Sequence, residues 1–298
     1  MLKRSLGEKV FNVFNMLIMC VFTFIILIPV IFVLRNSLEL SETATASLKL
    51  WPEDFSLVFY GMMLQDSAIY RPLLNSVIVT VVGTPLTLLI NSLGAYTMSK
   101  RDLPGRNFFA YYMVIIPMLI GGGTIPGFLL IRQLGMIDTL WALIIPGLAS
   151  GWNMTIIRNY YWSIPAELTE SARIDGAPEL TIFVKIILPL SKPVLSALGL
   201  MAGIGYWNLF YAAMIYIRDP RKWTFPVKMR ETIIKNEGND KLWEELMIGM
   251  GLDPTELLIN QQGLGGAMMI VSMIPILMVY PFLQKHFAGG IMVGSVKG

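Results

Sequence analysis

The sequence has little charge, and long stretches of it have none. Asp, Glu, Lys and Arg make up 14% of the 298 residues, whereas an average soluble domain has about 25%. Each uncharged stretch is long enough for a helix to cross a bilayer core, which takes about 20 residues. The pattern excludes a soluble protein and predicts an all-α integral membrane protein with one transmembrane domain. The six windows without Asp, Glu, Lys, Arg or His are 10–34, 72–99, 107–131, 139–157, 193–217 and 257–284.

Residue types that carry chemistry are also scarce. Cys20 is the only cysteine, so no disulfide can form within the chain. The phosphate-binding pattern Gly-x-x-x-x-Gly-Lys-Ser/Thr is absent, so we expect this chain to bind no nucleotide. We also expect no other cofactor, no metal and no enzymatic activity in this chain. No ionisable Asp, Glu, Lys, Arg or His lies in any window, which argues against a proton relay or a buried ion site. The first window is too long for a signal peptide, and no small-x-small cleavage site follows it near Arg35–Ser37.

The segments between the windows indicate an orientation. Lys and Arg are denser in the segments that a cytoplasmic N-terminus would place inside, as the positive-inside rule requires. The basic turn 100–106 is the clearest of these inner segments. Six spans then place both termini in the cytoplasm. The longer connections are 35–71 and 218–256 outside and 158–192 inside.

The inner segment 158–192 contains a polar stretch, from Glu170 to Pro189, that lies between two hydrophobic windows. Pro165 stands where a helix can begin, because the first turn needs no backbone N–H donor. Gly176 can end that helix, and Pro178 can open a second one. The sequence therefore predicts two short helices joined at a glycine and standing clear of the bilayer, a shape suited to docking.

This inner segment resembles, at every spacing, the cytoplasmic loop of the membrane subunits of binding-protein-dependent ABC importers. The one departure is Ser171, where that family usually has alanine; serine is small enough for the same contact. The resemblance covers nearly the whole chain and is closest to oligosaccharide permeases of the maltose-permease kind. The residues matching the loop are Glu170, Ser171, Ala172, Asp175, Gly176, Ala177, Ile186, Leu188 and Pro189. The other matching motifs are Asn75-Ser76, Gly94-Ala95-Tyr96, Gly135 to Thr139, Ile164 to Leu168, Trp207-Asn208 and Gly294 to Gly298.

The resemblance implies the fold of a type I ABC importer permease in the cytoplasmic membrane of a prokaryote. The implied partners are a second homologous permease, two ATPase subunits that bind ATP and Mg, an extracytoplasmic substrate-binding protein, an oligosaccharide and the bilayer, but no nucleic acid. The loop would lie in a cleft of the ATPase, with Glu170 offering a charge and Gly176 ending the helix. The outer segment 218–256 would touch the binding protein through Trp223, Asn239 and Trp243. The C-terminal tail would reach the ATPase interface through Gly294, Ser295, Val296, Lys297 and Gly298.

Polar and aromatic residues at membrane depth are the candidates for the substrate pathway. Aromatic faces and amides together suit a sugar, since rings cover its C–H surfaces and amides bond its hydroxyls. The same residue types also serve helix packing and hydrogen bonds between helices, so both roles stay open. The candidates are Trp152, Asn153, Tyr206, Trp207, Asn208 and Tyr211.

Three other functions compete with an ABC importer subunit. An intramembrane serine protease of the rhomboid kind would pair Ser150 with His286, but Ser150 is near the middle of its window and His286 lies beyond the last one. A secondary transporter would typically have more spans, an internal repeat or charges that couple an ion. A structural subunit without transport activity leaves the pattern from Glu170 to Pro189 unexplained.

Overall fold

The computed structural model describes residues 6–40, 51–236, 248 and 261–290. The described chain is almost entirely helical, and its one β-bridge joins Glu39 to Phe55. It divides into two compact units, Met1–Asp66 with Met229–Met273 and Ser67–Lys228 with Ile274–Gly298. Of the predicted functional residues, Asn239, Trp243 and the tail from Gly294 to Gly298 lie outside the described residues.

The helices are numbered here in chain order. They are α1 Leu6–Leu38, α2 Val58–Gln65, α3 Ser67–Ser99, α4 Arg106–Phe108, α5 Ile116–Leu119, α6 Thr124–Gln133, α7 Trp141–Ile144, α8 Gly151–Trp162, α9 Ala166–Ile174, α10 Glu179–Ile182, α11 Leu188–Leu190, α12 Lys192–Trp207, α13 Tyr211–Tyr216, α14 Phe225–Asn236 and α15 Gln261–Gly290. Wider π-helical turns, Phe109–Ile115 and Phe183–Ile187, connect α4 to α5 and α10 to α11. Narrow 3₁₀ turns occupy Ile145–Gly147 and Pro220–Lys222.

The first unit has a buried ion pair at the end of α1. The guanidinium of Arg35 lies 3.8 Å from the carboxylate of Glu39, and both side chains are 1% exposed. The backbone N–H groups of Glu53 and Asp54 also donate to that carboxylate, at 2.8 and 2.9 Å. A buried charge is tolerated when it is paired and hydrogen-bonded. Sequence analysis placed Arg35 in an outer connection and did not foresee this pair.

Helix α3 is the centre of the second unit, and α8 and α12 pack along it. Its buried positions recur every three or four residues, as expected for one face of a helix. Many of them are small or polar, which lets neighbouring helices approach closely. These small or polar buried residues are Ser76, Gly83, Thr87, Asn91, Ser92 and Ala95.

The six predicted windows do not all become continuous helices. Three helices are long and apolar enough to cross a membrane, Gly7–Leu38, Ser67–Ser99 and Gln262–Val279, and a fourth arises if Glu179–Leu190 and Lys192–Trp207, bent by 80°, form one span. A count of six is therefore not confirmed. The bent pair also extends into the segment predicted as the inner loop.

Glycine and proline lie at the interruptions of the third and fourth windows, and the fifth is interrupted without either. The third window breaks before α6, where Gly123 has a φ of 75°. The fourth breaks at Pro146 and Gly147, between α7 and α8. The fifth breaks after Trp207, where α12 ends and α13 begins only at Tyr211. Hydropathy measures how apolar a window is, but helix continuity also depends on these residues.

Candidate functional site

Helices α9 and α10 form a hairpin in the segment predicted to dock. At the end of α9, the N–H of Ala177 donates to the carbonyl of Ala172 at 2.9 Å, and the N–H of Gly176 to that of Arg173 at 3.0 Å. This pair of hydrogen bonds commonly ends a helix, and it requires a residue in the left-handed backbone conformation. Gly176 fills that position with a φ of 78°, and Pro178 then caps α10. The two short helices joined at a glycine are thus confirmed.

One face of this hairpin is exposed and mixes acidic with apolar side chains. Ile174 is 87% exposed and Leu180 is 68% exposed. Glu170 and Ser171 are exposed four and three residues before Ile174, on the same face of α9. Exposed apolar side chains rimmed by charge are typical of an interaction surface. Asp175 and Pro189 are also exposed, whereas four other predicted residues pack against a buried core: Ala172, Ala177, Ile186 and Leu188.

Glu179, which is not among the predicted residues, joins the hairpin to the C-terminal end of α3. Its Oε1 accepts from Nε of Arg173 at 2.9 Å. Its Oε2 accepts from the hydroxyl of Tyr96 at 2.5 Å and from Nζ of Lys100 at 2.9 Å. The same Lys100 ammonium lies 4.3 Å from the centre of the Tyr96 ring. One carboxylate therefore contacts three groups that come from two helices and the turn after α3.

The electrostatics of this cluster favour the ionised carboxylate. Burial by itself would raise the pKa of Glu179, but the hydrogen bonds from Tyr96, Lys100 and Arg173 outweigh it and lower the pKa to about 2. The Glu179 side chain is still 55% exposed, so its ion pairs contribute little to stability. Its charge is present throughout the physiological pH range.

The candidate pathway residues divide into exposed and buried ones. Trp152 is 62% exposed and Tyr211 is 59% exposed, and Asn208 is exposed at the end of α12. Tyr206 and Trp207 are each 5% exposed. Trp207 lines a largely apolar cavity of about 580 Å³ between α3, α12 and the last part of α15. The first three side chains are therefore on the surface of the chain, and the last two pack inside the second unit.

Tyr206 makes contacts that suit helix packing. Its hydroxyl lies 2.9 Å from Oγ1 of Thr87 and donates to the carbonyl of Ile144 at 3.1 Å. A methyl group at Gly83 or Gly147 would come within 3.0 Å of the Tyr206 side chain. The two glycines let this tyrosine lie between α3 and the break before α8. Of the two roles left open for Tyr206, the contacts favour packing.

Asn91, also passed over in the sequence, holds the break in the fourth window. The side chain is 1% exposed. Its Nδ2 donates to the carbonyl of Leu148 at 2.7 Å and to that of Thr87 at 2.6 Å, and its Oδ1 accepts from the N–H of Ser150 at 2.8 Å. Unwound backbone inside a membrane protein needs such partners. An asparagine within an apolar window was the signal that could have identified it.

Ser150 has a structural task in the same break. Its Oγ accepts the N–H of Asn153 at 3.3 Å and so caps the beginning of α8. Serine is one of the preferred residues for this position because it satisfies an orphan donor. The side chain of His286 lies outside the described residues. The contacts of Ser150 give no support to the protease alternative.

Two motifs of the resemblance hold the beginning of the outer segment. Nδ2 of Asn75 donates to the carbonyls of Arg221 and Trp223, at 2.9 and 3.0 Å. The carboxylate of Asp138 accepts from the N–H groups of Asp219 and Arg218, at 3.0 and 3.1 Å. These bonds hold the pKa of Asp138 below its ordinary value despite some burial, and the bond from Asp219 has the largest effect. The partly buried Trp223 is thus anchored through its own carbonyl.

The long apolar helices define an integral membrane protein, and the exposed hairpin α9–α10 is its candidate docking surface. Residues 1–293 match the family described as "Binding-protein-dependent transport system inner membrane component", and the chain belongs to this family. It is the membrane-spanning subunit of an ABC importer, and ATP hydrolysis takes place in partner subunits. It works with a second permease and an extracytoplasmic binding protein. These predictions from the sequence are confirmed, and neither the secondary transporter nor the serine protease is supported.

Curated relatives match over nearly their whole length. The chain is 40% identical to the polygalacturonan/rhamnogalacturonan transport system permease protein YtcP of Bacillus subtilis, covering 96% of this chain and 99% of YtcP. It is 37% identical to protein LplC of the same organism, and the match covers 97% of this chain and 96% of LplC. It is 31% identical to the arabinooligosaccharides transport system permease protein AraQ of Halalkalibacterium halodurans, and the match covers 75% of this chain and 73% of AraQ.

Solved structures of importers share the fold. A crystal structure of a bacterial ABC transporter that imports the acidic polysaccharide alginate contains a chain 29% identical to this one, with a TM-score of 0.86 over 96% of this chain and 100% of that chain. In a crystal structure of the bacterial alginate ABC transporter with its pentasaccharide-bound periplasmic protein, another chain matches with a TM-score of 0.53 at 12% identity. The second likeness concerns the fold alone, over 93% of each chain.

Proposed function

We propose that the chain forms half of the translocation pathway for an oligosaccharide. The observation that carries this proposal is the match over nearly the full length to YtcP, whose name specifies polygalacturonan and rhamnogalacturonan. The exposed rings of Trp152 and Tyr211 and the amide of Asn208 are the groups proposed to meet the sugar. Asn153 is partly buried beside them in sequence and is kept as a further candidate.

Uptake by the complete importer in proteoliposomes tests this function. Trigalacturonate is the first substrate to offer, with an arabinotriose of equal length as the neutral comparison. We expect uptake that requires ATP inside, the binding protein outside, and Trp152. Replacing Trp152 with alanine should lower uptake at constant assembly, whereas Trp162→Ala, on the inner side of the same helix, serves as the matched control. Failure to take up either sugar would contradict the proposal.

The pathway is proposed to be built from six spans, of which three contain breaks. The high similarity to an importer chain along 96% of this sequence supports it. The proposed spans follow the six charge-free windows, with both termini in the cytoplasm. In this arrangement the turn 100–106 and the hairpin α9–α10 lie inside, and 218–256 lies outside. Cysteines placed at Asp102 and Asp219 should react with a membrane-impermeant reagent from opposite sides.

The hairpin is proposed to dock on an ATPase subunit, which binds the ATP and Mg. Its exposed face offers Glu170 for a charged contact and Ile174 for an apolar one. Removal of Ile174 from water on docking would contribute about 1.5–3 kcal/mol. We expect Ile174→Glu to release the ATPase from the purified complex. Gly176→Val should do the same or uncouple hydrolysis from transport, because its φ of 78° strains any β-branched residue.

A matched control separates docking from a general loss of folding. Leu103, on the basic inner turn, is an apolar side chain that is also exposed, at 44%. Leu103→Glu should leave the ATPase bound. Normal ATPase retention by both Ile174→Glu and Gly176→Val would show that the partner binds elsewhere.

Two further contacts belong to the same proposal. The outer segment is proposed to touch the binding protein through Trp223, Asn239 and Trp243. The described residues at its beginning support this, since Asn75 and Asp138 fix the backbone at Trp223 and in the residues before it. The tail Gly294, Ser295, Val296, Lys297 and Gly298 is proposed to reach the interface between the ATPase subunits.

A further inference from the structure

Helix α9 has few direct contacts with the buried core of the second unit, whereas α10 is anchored there through the fully buried Ile182. Of the residues of α9, only Ala172 packs against the buried core that contains Tyr161 and Phe183. A single methyl group makes few contacts, and its neighbours can slide past it. If the ATPase moves α9, another connection must carry that movement into the membrane helices.

Glu179 supplies a directional connection of this kind. On one side its carboxylate holds Arg173, in the last turn of α9, at 2.9 Å. On the other side it holds Tyr96 at 2.5 Å and Lys100 at 2.9 Å, at the C-terminal end of α3. Charge-assisted hydrogen bonds of this length fix geometry more tightly than neutral ones. Both oxygens of the carboxylate are in use, so a displacement of Arg173 on one side changes the geometry of the contacts to Tyr96 and Lys100 on the other.

Tyr96, at the α3 end of this connection, is buried and closely packed. Tyr96 is 8% exposed, and its ring lies 5.0 Å from that of Phe183 and 6.4 Å from that of Tyr161. Close-packed side chains transmit displacement because they have no free volume to absorb it. A force that reaches the Tyr96 hydroxyl is therefore passed to α3, along which α8 and α12 pack.

We propose that Glu179 is a positioning residue that couples the docking hairpin to α3, so that ATP-driven movement of α9 becomes movement of the pathway helices. This inference rests on the proposed docking of α9 to the ATPase. Because the Glu179 side chain is half exposed, its removal should cost little stability while breaking the mechanical link. Loss of coupling without loss of folding is the signature expected.

The direct test measures whether α9 and α3 move together. Spin labels at Thr97 on α3 and Ala166 on α9, both exposed, report the distance between the two helices in a Cys20→Ser background. The complete importer is compared without nucleotide and after trapping with ATP and vanadate. In the parent protein the distance should be the same in both states. In Glu179→Gln and Tyr96→Phe it should shift by several ångström on trapping, since α9 then moves alone.

Transport per ATP gives the functional readout. Both variants should still bind the ATPase and hydrolyse ATP, while trigalacturonate uptake per ATP falls about fivefold or more, the scale of a typical coupling energy. Lys100→Gln should lower it too, and the Lys100→Gln, Glu179→Gln double variant should be no worse than the stronger single variant, because both remove one contact. Asp102→Asn removes a nearby carboxylate that makes no ion pair within the described residues, and it should behave as the parent.

The outcomes separate this inference from the proposed function. Inter-helix distances in Glu179→Gln and Tyr96→Phe that match the parent in both states would overturn the inference. Loss of the ATPase from these variants would also overturn it, since the role would then be structural. Failure of Ile174→Glu to release the ATPase, in contrast, would overturn docking through α9 itself.

Discussion

Asn91 gives the sharpest test of how the broken fourth window is held together. We consider Asn91→Ala, which removes an amide that is 1% exposed. The change deletes the bonds to the carbonyl of Leu148 at 2.7 Å and from the N–H of Ser150 at 2.8 Å, both of which join α3 to the unwound residues before α8. No other described hydrogen bond of the backbone N–H of Ser150 replaces the second one.

The expected loss follows from these two bonds. Hydrogen bonds between helices in membrane proteins average about 0.6 kcal/mol and reach about 1.7 kcal/mol. A buried donor left without a partner costs about 1–3 kcal/mol. Together these give a loss of about 1–3 kcal/mol in the free energy of unfolding. For a chain of this size that lowers the unfolding midpoint by about 2–5 °C.

Thermal unfolding of the importer in lipid nanodiscs measures this loss. Asn159→Ala is the matched control, because Asn159 is exposed and its amide accepts only from the neighbouring Arg158 side chain, at 3.1 Å. The control should melt within about 1 °C of the parent, as surface substitutions usually do. An Asn91→Ala midpoint equal to that of the control would refute the view that this amide supports the break.

Two further predictions concern packing and charge. A methyl group at Gly151 would lie 2.8 Å from the carbonyl oxygen of Val114, so Gly151→Ala should lower the unfolding free energy by about 1–3 kcal/mol. Gly205→Ala, with no atom within 4 Å, should be neutral or stabilising, and equal melting of both variants would contradict the reasoning. For Glu179, the folded pKa of about 2 lies below the ordinary 4.5, so its stabilisation is present above about pH 4.5 and is lost as pH falls through about 2. The melting difference between the parent and Glu179→Gln should therefore shrink as the pH falls from about 4.5 to about 2, and a difference that stays constant across that range would contradict the lowered pKa.

The sequence alone determined the membrane class, the family and the place of the docking hairpin. Windows without charge require an apolar environment whatever the chain does within them. The hairpin was equally readable, because helix starts at proline and stops at glycine depend on residues close together in the chain. Gly176 illustrates this: its left-handed φ of 78° follows from the local stop pattern that predicted it.

Helix continuity was less readable. The windows of α6, α8 and α13 contain breaks, although they are as free of charge as the window of α3, which forms one continuous helix. Pro72 and Pro85 lie inside α3 without ending it, while Pro146 lies at a break. A proline interrupts a helix where neighbours can satisfy the freed backbone groups. Asn91 provides such partners for the fourth window, from a different helix.

Only the tertiary structure decided which polar residues act together. Glu179 lies 83 residues after Tyr96 in the sequence, and neither position marks the other as its partner. Tyr206 and Tyr211 are five residues apart and chemically alike, yet one is 5% exposed and the other 59%. Local sequence fixes propensity and polarity, whereas burial and pairing depend on which distant surfaces the packed helices bring into contact. The docking hairpin was therefore predictable from its residues, and its connection to α3 was visible only once the helices were packed.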